Sequence, residues 1–442
     1  MNPRELSFRT LNEVLIKHKN LTTVLSSIRP ESKLSRRDWR LFYTLTKGTI
    51  KQKIYLDFII KSLMHHKEFE HIPPEMKNLL RLGLFQIIFL DHVPNYAAVN
   101  EVMKICNQLY NKKLSAFLNA MLREFIRKGY KIQFPRDNLI QRISIQYSFP
   151  DYMIETWLKD YGEENTIKMC EYFNSVPSFH IRFDPNKISF KDMAEHLKQK
   201  GVGFEIGKFN PLVLHIFDDF DFMNDPLFLS GCYYIQDESS TLPVILLDVC
   251  EGDTVLDMCA APGGKSTFIA SIMHNKGKIV ANDVDPKRAE RLRSNIKRMG
   301  YTNIEVLTKD ASQLESKYKF DKILLDVPCT GWGSMQKKPE IRLQSREKLK
   351  SLLPLQEKLL NKAADLVKDG GVLVYSTCTL THEENENQIE KFLADHPKFC
   401  VEKPINFVDK NLVNGNYVVS YPFKHNIDGG FAVRLRKIKR CN

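Results

Sequence analysis

The stretch Thr254-Val255-Leu256-Asp257-Met258-Cys259-Ala260-Ala261-Pro262-Gly263-Gly264-Lys265-Ser266 decides the fold. It opens as a largely apolar, β-compatible run, passes through a turn of small residues and leads into a helix expected to start near Ser266. The same alternation continues through Lys278–Ala281, Asn303–Leu307, Lys322–Leu325 and Val372–Tyr375. Strands alternating with helices pack as an α/β, mostly parallel, doubly wound Rossmann-like sheet. Residues 236–442 are read as that domain, and its ligands are expected outside the carboxyl ends of the strands.

Towards the N-terminus, residues 140–235 mix strand-like Ser178–Phe183 and Leu212–Ile216 with a helical stretch from Phe190 to Lys200. The turns Asp184-Pro185-Asn186 and Asn210-Pro211 punctuate it. It reads as a small α+β insert of RRM-like kind whose own chemistry is not legible. Residues 1–130 carry helical periodicity throughout. Ser7 is expected to cap a helix bearing Leu11, Val14 and Leu15, Pro73 and Pro74 open another, and Ala97–Tyr110 and Leu114–Arg127 continue the pattern.

A chain of 442 residues, 43% of them hydrophobic, supports two or three domains. The longest apolar run, Leu84–Leu90, is a third of the roughly 20 residues a membrane helix needs, and the N-terminus lacks a signal pattern. A soluble, cytoplasmic, monomeric protein is expected. Its nine cysteines include no CxxC pair, which points to reduced thiols and to no metal site. The net charge of +12 suggests a polyanionic partner. Residues 1–53 hold twelve Lys or Arg against four acids, and Arg434, Arg436, Lys437, Lys439 and Arg440 form a second basic run. Phosphate contact is favoured over plain solvated charge for both.

The loop Cys259-Ala260-Ala261-Pro262-Gly263-Gly264-Lys265 is neither the dinucleotide fingerprint GxGxxG nor a phosphate loop, since no glycine stands five positions before Gly264. Small residues let a ligand lie against the backbone, and helix N-terminal amides favour a carboxylate. A methyl donor with a methionine moiety suits such a loop. Its ribose needs an acid at the end of the second strand, where Asp283 is the first choice and Asp285 the fallback, each against the alternative of a plain turn aspartate. Asp310, after the third strand, is placed to accept from an adenine amino group, against the alternative of a helix cap.

Two words follow later strands: Asp326-Val327-Pro328-Cys329-Thr330-Gly331-Trp332-Gly333 and Tyr375-Ser376-Thr377-Cys378-Thr379. A lone cysteine is usually a small buried hydrophobe, the reading given to Cys106, Cys170 and Cys250. Cys329 and Cys378 differ because both sit at the ligand edge. Cytosine C5 is a poor nucleophile towards a methyl sulfonium, but thiolate addition at C6 makes it electron-rich. Cys378 is the candidate for that attack and Asp326 for hydrogen bonding at N3. Cys329 is the candidate base that removes the C5 proton so that the first thiol can leave. The target base must be single-stranded or flipped out. Trp332 and Tyr375 are candidate stacking groups, with packing the stronger reading, and Lys337, Lys338 and Arg342 are candidates for flanking phosphates.

These words resemble the signature set of the Sun-type RNA cytosine-5 methyltransferases: Asp257 to Lys265, Asp326 to Gly333, and Ser376 through the Glu-Asn-Glu ending at Glu386. Asp428-Gly429-Gly430-Phe431-Ala432 is similar to the family's closing Asp-Gly-Phe strand, with one extra glycine. Leu80-Arg81-Leu82-Gly83, Val93 to Glu101 and Phe117 to Arg123 resemble the NusB-like RNA-binding fold, which narrows the likeness to the bacterial RsmB-like branch. The resemblance implies S-adenosylmethionine as donor, held by Cys259 through Lys265, Asp283, Asp310 and Asp326. It implies small-subunit ribosomal RNA as partner, Cys378 as nucleophile and Cys329 as the group assisting release. Two rival readings are weaker. DNA cytosine methyltransferases take their nucleophile from the Pro-Cys word, and a purely RNA-binding assembly factor would not need both cysteines, the glycines and three strand-end acids.

Overall fold

The computed structural model describes residues 2–31, 34–64, 69–129, 132–218 and 220–438. The chain divides into two compact units, Met1–Asn174 with Lys337–Gln344, and Ser175–Gln336 with Ser345–Asn442.

The first unit is helical. Helix Pro74–Phe89 is buried along nearly its whole circumference, from Met76 to Ile87, as a central helix must be. Helices Pro3–Leu15, Arg36–Lys51, Asn95–Leu109 and Lys112–Arg127 turn their apolar stripes towards it, joining Leu11, Leu45, Val102 and Leu122 in one core. Gly48 is required where the Phe85 ring crosses its helix, since a β-carbon there would lie 2.0 Å from that ring. The first helix starts earlier than expected: Asn2, not Ser7, accepts from Arg4 N, with Pro3 in the first turn. Ser7 is buried inside the helix and donates to the Pro3 carbonyl at 2.8 Å. Helices Leu139–Tyr147 and Asp151–Asn174 also belong to this unit, so residues 140–174, read above with the insert, fold as helices.

Arg342 corrects the expectation of phosphate contact. It is buried in the helical unit with its guanidinium 3.7 Å from the Phe149 ring centroid. It donates to the carbonyls of Lys51, Tyr147, Ser148 and Phe173 and to Asn174 Oδ1, at 2.9–3.3 Å. These are largely the orphan carbonyls of helix C-termini, which a fork of donors satisfies. Nearby, Lys47 donates to the Lys337 carbonyl at 2.7 Å, and Lys338 is exposed.

The second unit holds two sheets. In the smaller, strands β1 (Phe179–Phe183), β2 (Phe204–Ile206), β3 (Val213–Ile216) and β4 (Tyr233–Ile235) run antiparallel in the order β2-β3-β1-β4. Helix Phe190–Gln199 covers it through Met193 and Leu197. The larger sheet contains β5 (Thr254–Asp257), β6 (Lys278–Asn282), β7 (Ile304–Leu307), β8 (Phe320–Asp326) and β9 (Val367–Thr377), all parallel. The antiparallel β10 (Phe399–Val401), β11 (Val413–Asn414), β12 (Tyr417–Ser420) and β13 (Gly430–Lys437) complete it, in the order β11-β12-β13-β9-β8-β5-β6-β7, with β10 on β13. From β5 the chain moves outward to β6 and β7, then returns to the other side of β5 as β8. The crevice between β5 and β8 is therefore the topological switch point.

The C-terminal basic run is mostly structural. Arg434 is buried on β13, donating to Glu402 Oε2 at 2.5 Å and to the Leu246 and Leu247 carbonyls. Arg436 pairs with Glu402, and Lys437 donates to the Ala364 and Val367 carbonyls. Lys439 and Arg440 lie outside the described residues. Cys106 and Cys170 are buried as expected, whereas Cys250 is exposed. Among the described residues no helix is long and apolar enough to cross a membrane.

Candidate active site

The register of β8 against β9 builds the site. Asp326 pairs with Ser376, so the Pro-Cys and Thr-Cys words leave the sheet side by side. Cys329 Sγ and Cys378 Sγ meet at 3.1 Å, and Cys378 N–H approaches Cys329 Sγ at 3.3 Å. A cleft opens at this edge, lined in part by Lys265, Asp326, Cys378, Gly430 and Phe431. Cys378 is among its walls and Cys329 is not.

Asp326 is held from two sides. Lys265 Nζ donates to Oδ2 at 2.6 Å and Ser376 Oγ to Oδ1 at 2.8 Å. Burial lowers the Lys265 pKa, but the Asp326 charge and hydrogen bond, with Asp257, outweigh it and leave the ammonium above its usual range. Sequence reasoning placed Lys265 with the cofactor only. The structure brings it to the cleft, an ion pair across 61 positions that no local spacing announces.

The hydrogen bond with Cys378, then burial, raise the Cys329 thiol well above the ordinary cysteine range, with the charges of Glu384 and Asp326 adding to it. At neutral pH Cys329 is therefore a neutral thiol. Burial pushes the Cys259 thiol up as well, helped by Asp257, Asp326 and Asp283.

A buried carboxylate ties the two cysteine loops together. Glu384 Oε1 accepts from Thr330 N and Gln356 Nε2, both at 2.9 Å, and Oε2 from Thr330 Oγ1 at 2.5 Å and Thr381 Oγ1 at 2.8 Å. Thr330 follows Cys329, and Thr381 stands three residues after Cys378. Asn385 accepts from Thr377 Oγ1 at 2.6 Å and donates to the Thr379 carbonyl. The Glu-Asn-Glu word was visible in the sequence, but not that its first two residues form this clamp. Trp332 and Tyr375 are buried, and Tyr375 donates its hydroxyl to the Glu384 carbonyl at 2.6 Å, so packing is their role.

The loop after β5 fits a nucleoside donor. Gly263 has φ +106°, and a β-carbon there would lie 2.8 Å from Leu292, so only glycine makes the turn. Asp257 is fully buried; Oδ2 accepts from Ser266 Oγ at 2.6 Å while Oδ1 has no partner among the described residues. Burial pushes the pKa of Asp257 up to about 7. Asp283, buried at the end of β6, accepts from Ala261 N at 3.3 Å and pairs with Arg288 at 3.1 Å. Asp285 caps helix Pro286–Met299, accepting from Lys287 N and Arg288 N. Asp310 is exposed and accepts from Ser312 N and Oγ, a cap of its own short turn.

Family models match residues 244–436 (16S rRNA methyltransferase RsmB/F), 1–127 (NusB family) and 149–221 (RsmF/B-like methyltransferase, ferredoxin-like domain). A probable ribosomal RNA small subunit methyltransferase B of Synechocystis sp. is 33% identical over 99% of this chain and 100% of its own length. The chain belongs to the RsmB/F methyltransferase family. The family member is an S-adenosylmethionine-dependent methyltransferase. It is also similar to a mouse 28S rRNA (cytosine-C(5))-methyltransferase, 32% identical over 67% of this chain and 40% of that protein. Among solved structures, that of PH0851 superposes with a TM-score of 0.82 at 27% identity, covering 99% of both chains.

Proposed function

We propose that this RsmB/F methyltransferase methylates C5 of a cytosine in small-subunit (16S) ribosomal RNA through a covalent bond between Cys378 and C6 of the base. The observation that carries the reading is that Cys378 lines the cleft beside Asp326 and Lys265, with Cys329 Sγ in contact with it at 3.1 Å. The family names, and the cytosine-C5 activity in the name of the mouse relative, support the substrate class.

When bound, S-adenosylmethionine supplies an electrophilic methyl group. Cys259 through Lys265, Asp283, Asp310 and Asp326 are the residues that would hold it, with Asp283 preferred over Asp285 for the ribose because it is buried at the end of β6 against the Ala261 amide whereas Asp285 is exposed. Cys378 Sγ adds to C6. The charge that develops on the ring is relieved at N3 by a proton from Asp326, whose carboxyl group takes that proton up as Cys378 loses it and is held at the rim of the cleft by Lys265 and Ser376. Cys329, a neutral thiol in the resting site, can donate to the Cys378 sulfur before attack. Once Cys378 Sγ is bonded to C6, the largest cause raising the Cys329 pKa is gone. The thiol can then give its proton to water, and the thiolate takes the one from C5; the C5–H electrons close the C5–C6 double bond and the Cys378–C6 bond breaks with its electrons returning to sulfur. The target cytosine must be unpaired or flipped, because C5 and C6 are shielded in a helix.

The test is incubation with labelled methyl donor and small-subunit RNA. Cys378→Ala should lose methylation, and Cys329→Ala should accumulate a covalent protein–RNA adduct. Adduct in Cys378→Ala instead would exchange the two roles, and equal methylation of DNA would refute the substrate class.

A further inference from the structure

The β1–β4 sheet contributes nothing to the steps above, yet its first strand grips the helix that follows the donor loop, Gly264–Ile272, at both ends. Arg182, buried on β1, donates from Nε to Gln236 Oε1 at 2.8 Å. Its Nη2 donates to the Gly264 carbonyl at 3.3 Å and to Thr267 Oγ1 at 3.2 Å, and the guanidinium lies 4.5 Å from the Phe268 ring centroid. Two residues on, Asp184 Oδ1 accepts from Ser271 Oγ at 2.8 Å, and Asn186 Nδ2 donates to the Ser271 carbonyl at 2.8 Å. Tyr234 on β4 donates to the Pro262 carbonyl at 3.1 Å. The fit is close, since a β-carbon on Gly264 would lie 3.1 Å from Tyr234 and 3.3 Å from Gln236.

Arg182 is the unexpected member of this set. Burying an ionised group sacrifices its hydration, and the loss is ordinarily offset by a carboxylate. The partners of Arg182 are an amide, a carbonyl and a hydroxyl, and its Nη1 has none among the described residues. Burial pulls its pKa down to about 10, so it stays charged at neutral pH. Packing alone would be served as well by a methionine. A cation kept under the first turn of this helix does two things a methionine cannot. It fixes the Gly264 carbonyl, and with it the Gly263-Gly264 turn, and it adds to the positive end of the helix, where an anionic group of a ligand is favoured.

We propose that Arg182, seconded by Gln236, is a positioning residue for the methyl donor, and that the β1–β4 sheet serves as a brace for the donor loop. The inference rests on the S-adenosylmethionine dependence of the family and is independent of the cysteine chemistry.

The experiment is calorimetric titration of the full chain, without RNA, with S-adenosylhomocysteine, paired with steady-state kinetics. Arg182→Met should weaken binding by about tenfold or more, and Gln236→Leu, which leaves the guanidinium in place, by about threefold. Arg182→Lys, which keeps the charge and one donor, should restore part of the loss. KM for the donor should rise in step, with KM for RNA and kcat at saturating donor unchanged. Met193→Ala, in the core of the small sheet and away from the helix, should lower thermal stability without weakening the donor. Binding by both Arg182→Met and Gln236→Leu within about twofold of wild type would overturn the proposal. So would a Met193→Ala loss as large as that of Arg182→Met, which would reduce the effect to general destabilisation. Should Arg182→Met fail to fold, Gln236→Leu and Arg182→Lys carry the same comparison. Absence of binding by the wild-type chain would instead overturn the cofactor reading.

Discussion

Replacing Glu384 with alanine should separate the two cysteines and cost both stability and rate. The side chain accepts four hydrogen bonds at 2.5–2.9 Å in a fully buried position. Two of its donors have other partners: Thr330 Oγ1 lies 2.9 Å from Thr379 Oγ1, and Gln356 Nε2 also donates to the Pro328 carbonyl. Thr330 N–H has no such escape, because backbone cannot rotate away. One orphaned buried N–H costs about 1–3 kcal/mol, and the void left by the carboxyethyl group adds a further ~1 kcal/mol. A total of about 3 kcal/mol lowers the melting temperature of a domain this size by roughly 6–12 °C. Calorimetry on the full chain measures the shift, and single-turnover methylation measures the second effect. With Thr330 and Thr381 released, the cysteine loops drift, and a misplacement of ~1 Å costs about 100-fold in rate. The adduct formed by Cys329→Ala should form correspondingly slowly in the Glu384→Ala background. A melting temperature within about 1 °C of wild type, or an unchanged single-turnover rate, would refute the clamp.

Two further changes test other parts of the structure. Arg342→Met in the helical unit removes the donors from four carbonyls and Asn174 Oδ1, and should destabilise that unit by about 3 kcal/mol, the scale for breaking a buried charge network. Amide exchange should quicken first around Ser148 and Asn174; unchanged protection there would count against the cage. Asp257, with its folded pKa pushed up to about 7 against ~3.9 unfolded, binds a proton on folding between those values, so stability falls as pH rises from about 4 to about 7 and stays lowered above it. Asp257→Asn mimics the protonated form and should flatten the melting-temperature profile over that window, an expectation that identical slopes in both proteins would contradict.

Legibility in the sequence followed the range of the interactions. The parallel strands were readable because burial on both faces makes them near-continuous apolar runs, as in Val255-Leu256 or Val372-Leu373-Val374. The helical domain and both cysteine words were likewise local patterns. The misplaced helix start arose between two local signals, since Asn2-Pro3 carries the cap and the first-turn proline while Ser7 has only the hydroxyl. Arg342 was misread because its partners, residues 51, 147–148 and 173–174, lie more than 160 positions away. Separations of 61, 54 and 82 positions likewise hid the Lys265–Asp326 pair, the Glu384–Thr330 clamp and the grip of Arg182 on the donor-loop helix. Charge alone pointed Arg342 towards phosphate, and tertiary context turned it inward.

The proposed division of labour between the cysteines rests on register rather than on either thiol alone. Asp326 and Ser376 are directly paired on parallel strands, and Cys378 stands two residues past the pair where Cys329 stands three. Pro328 before Cys329 accepts at its carbonyl from Gln356, and Thr330 after it donates its N–H to Glu384. Of the two thiols, Cys378 is the one among the residues that line the cleft. Side chains alternate along a strand, so a slip of one residue between β8 and β9 would reverse which faces are presented. On the proposed roles, addition needs a sulfur on the cleft wall and release a second thiol in contact with it, and one strand pairing brings the two to 3.1 Å.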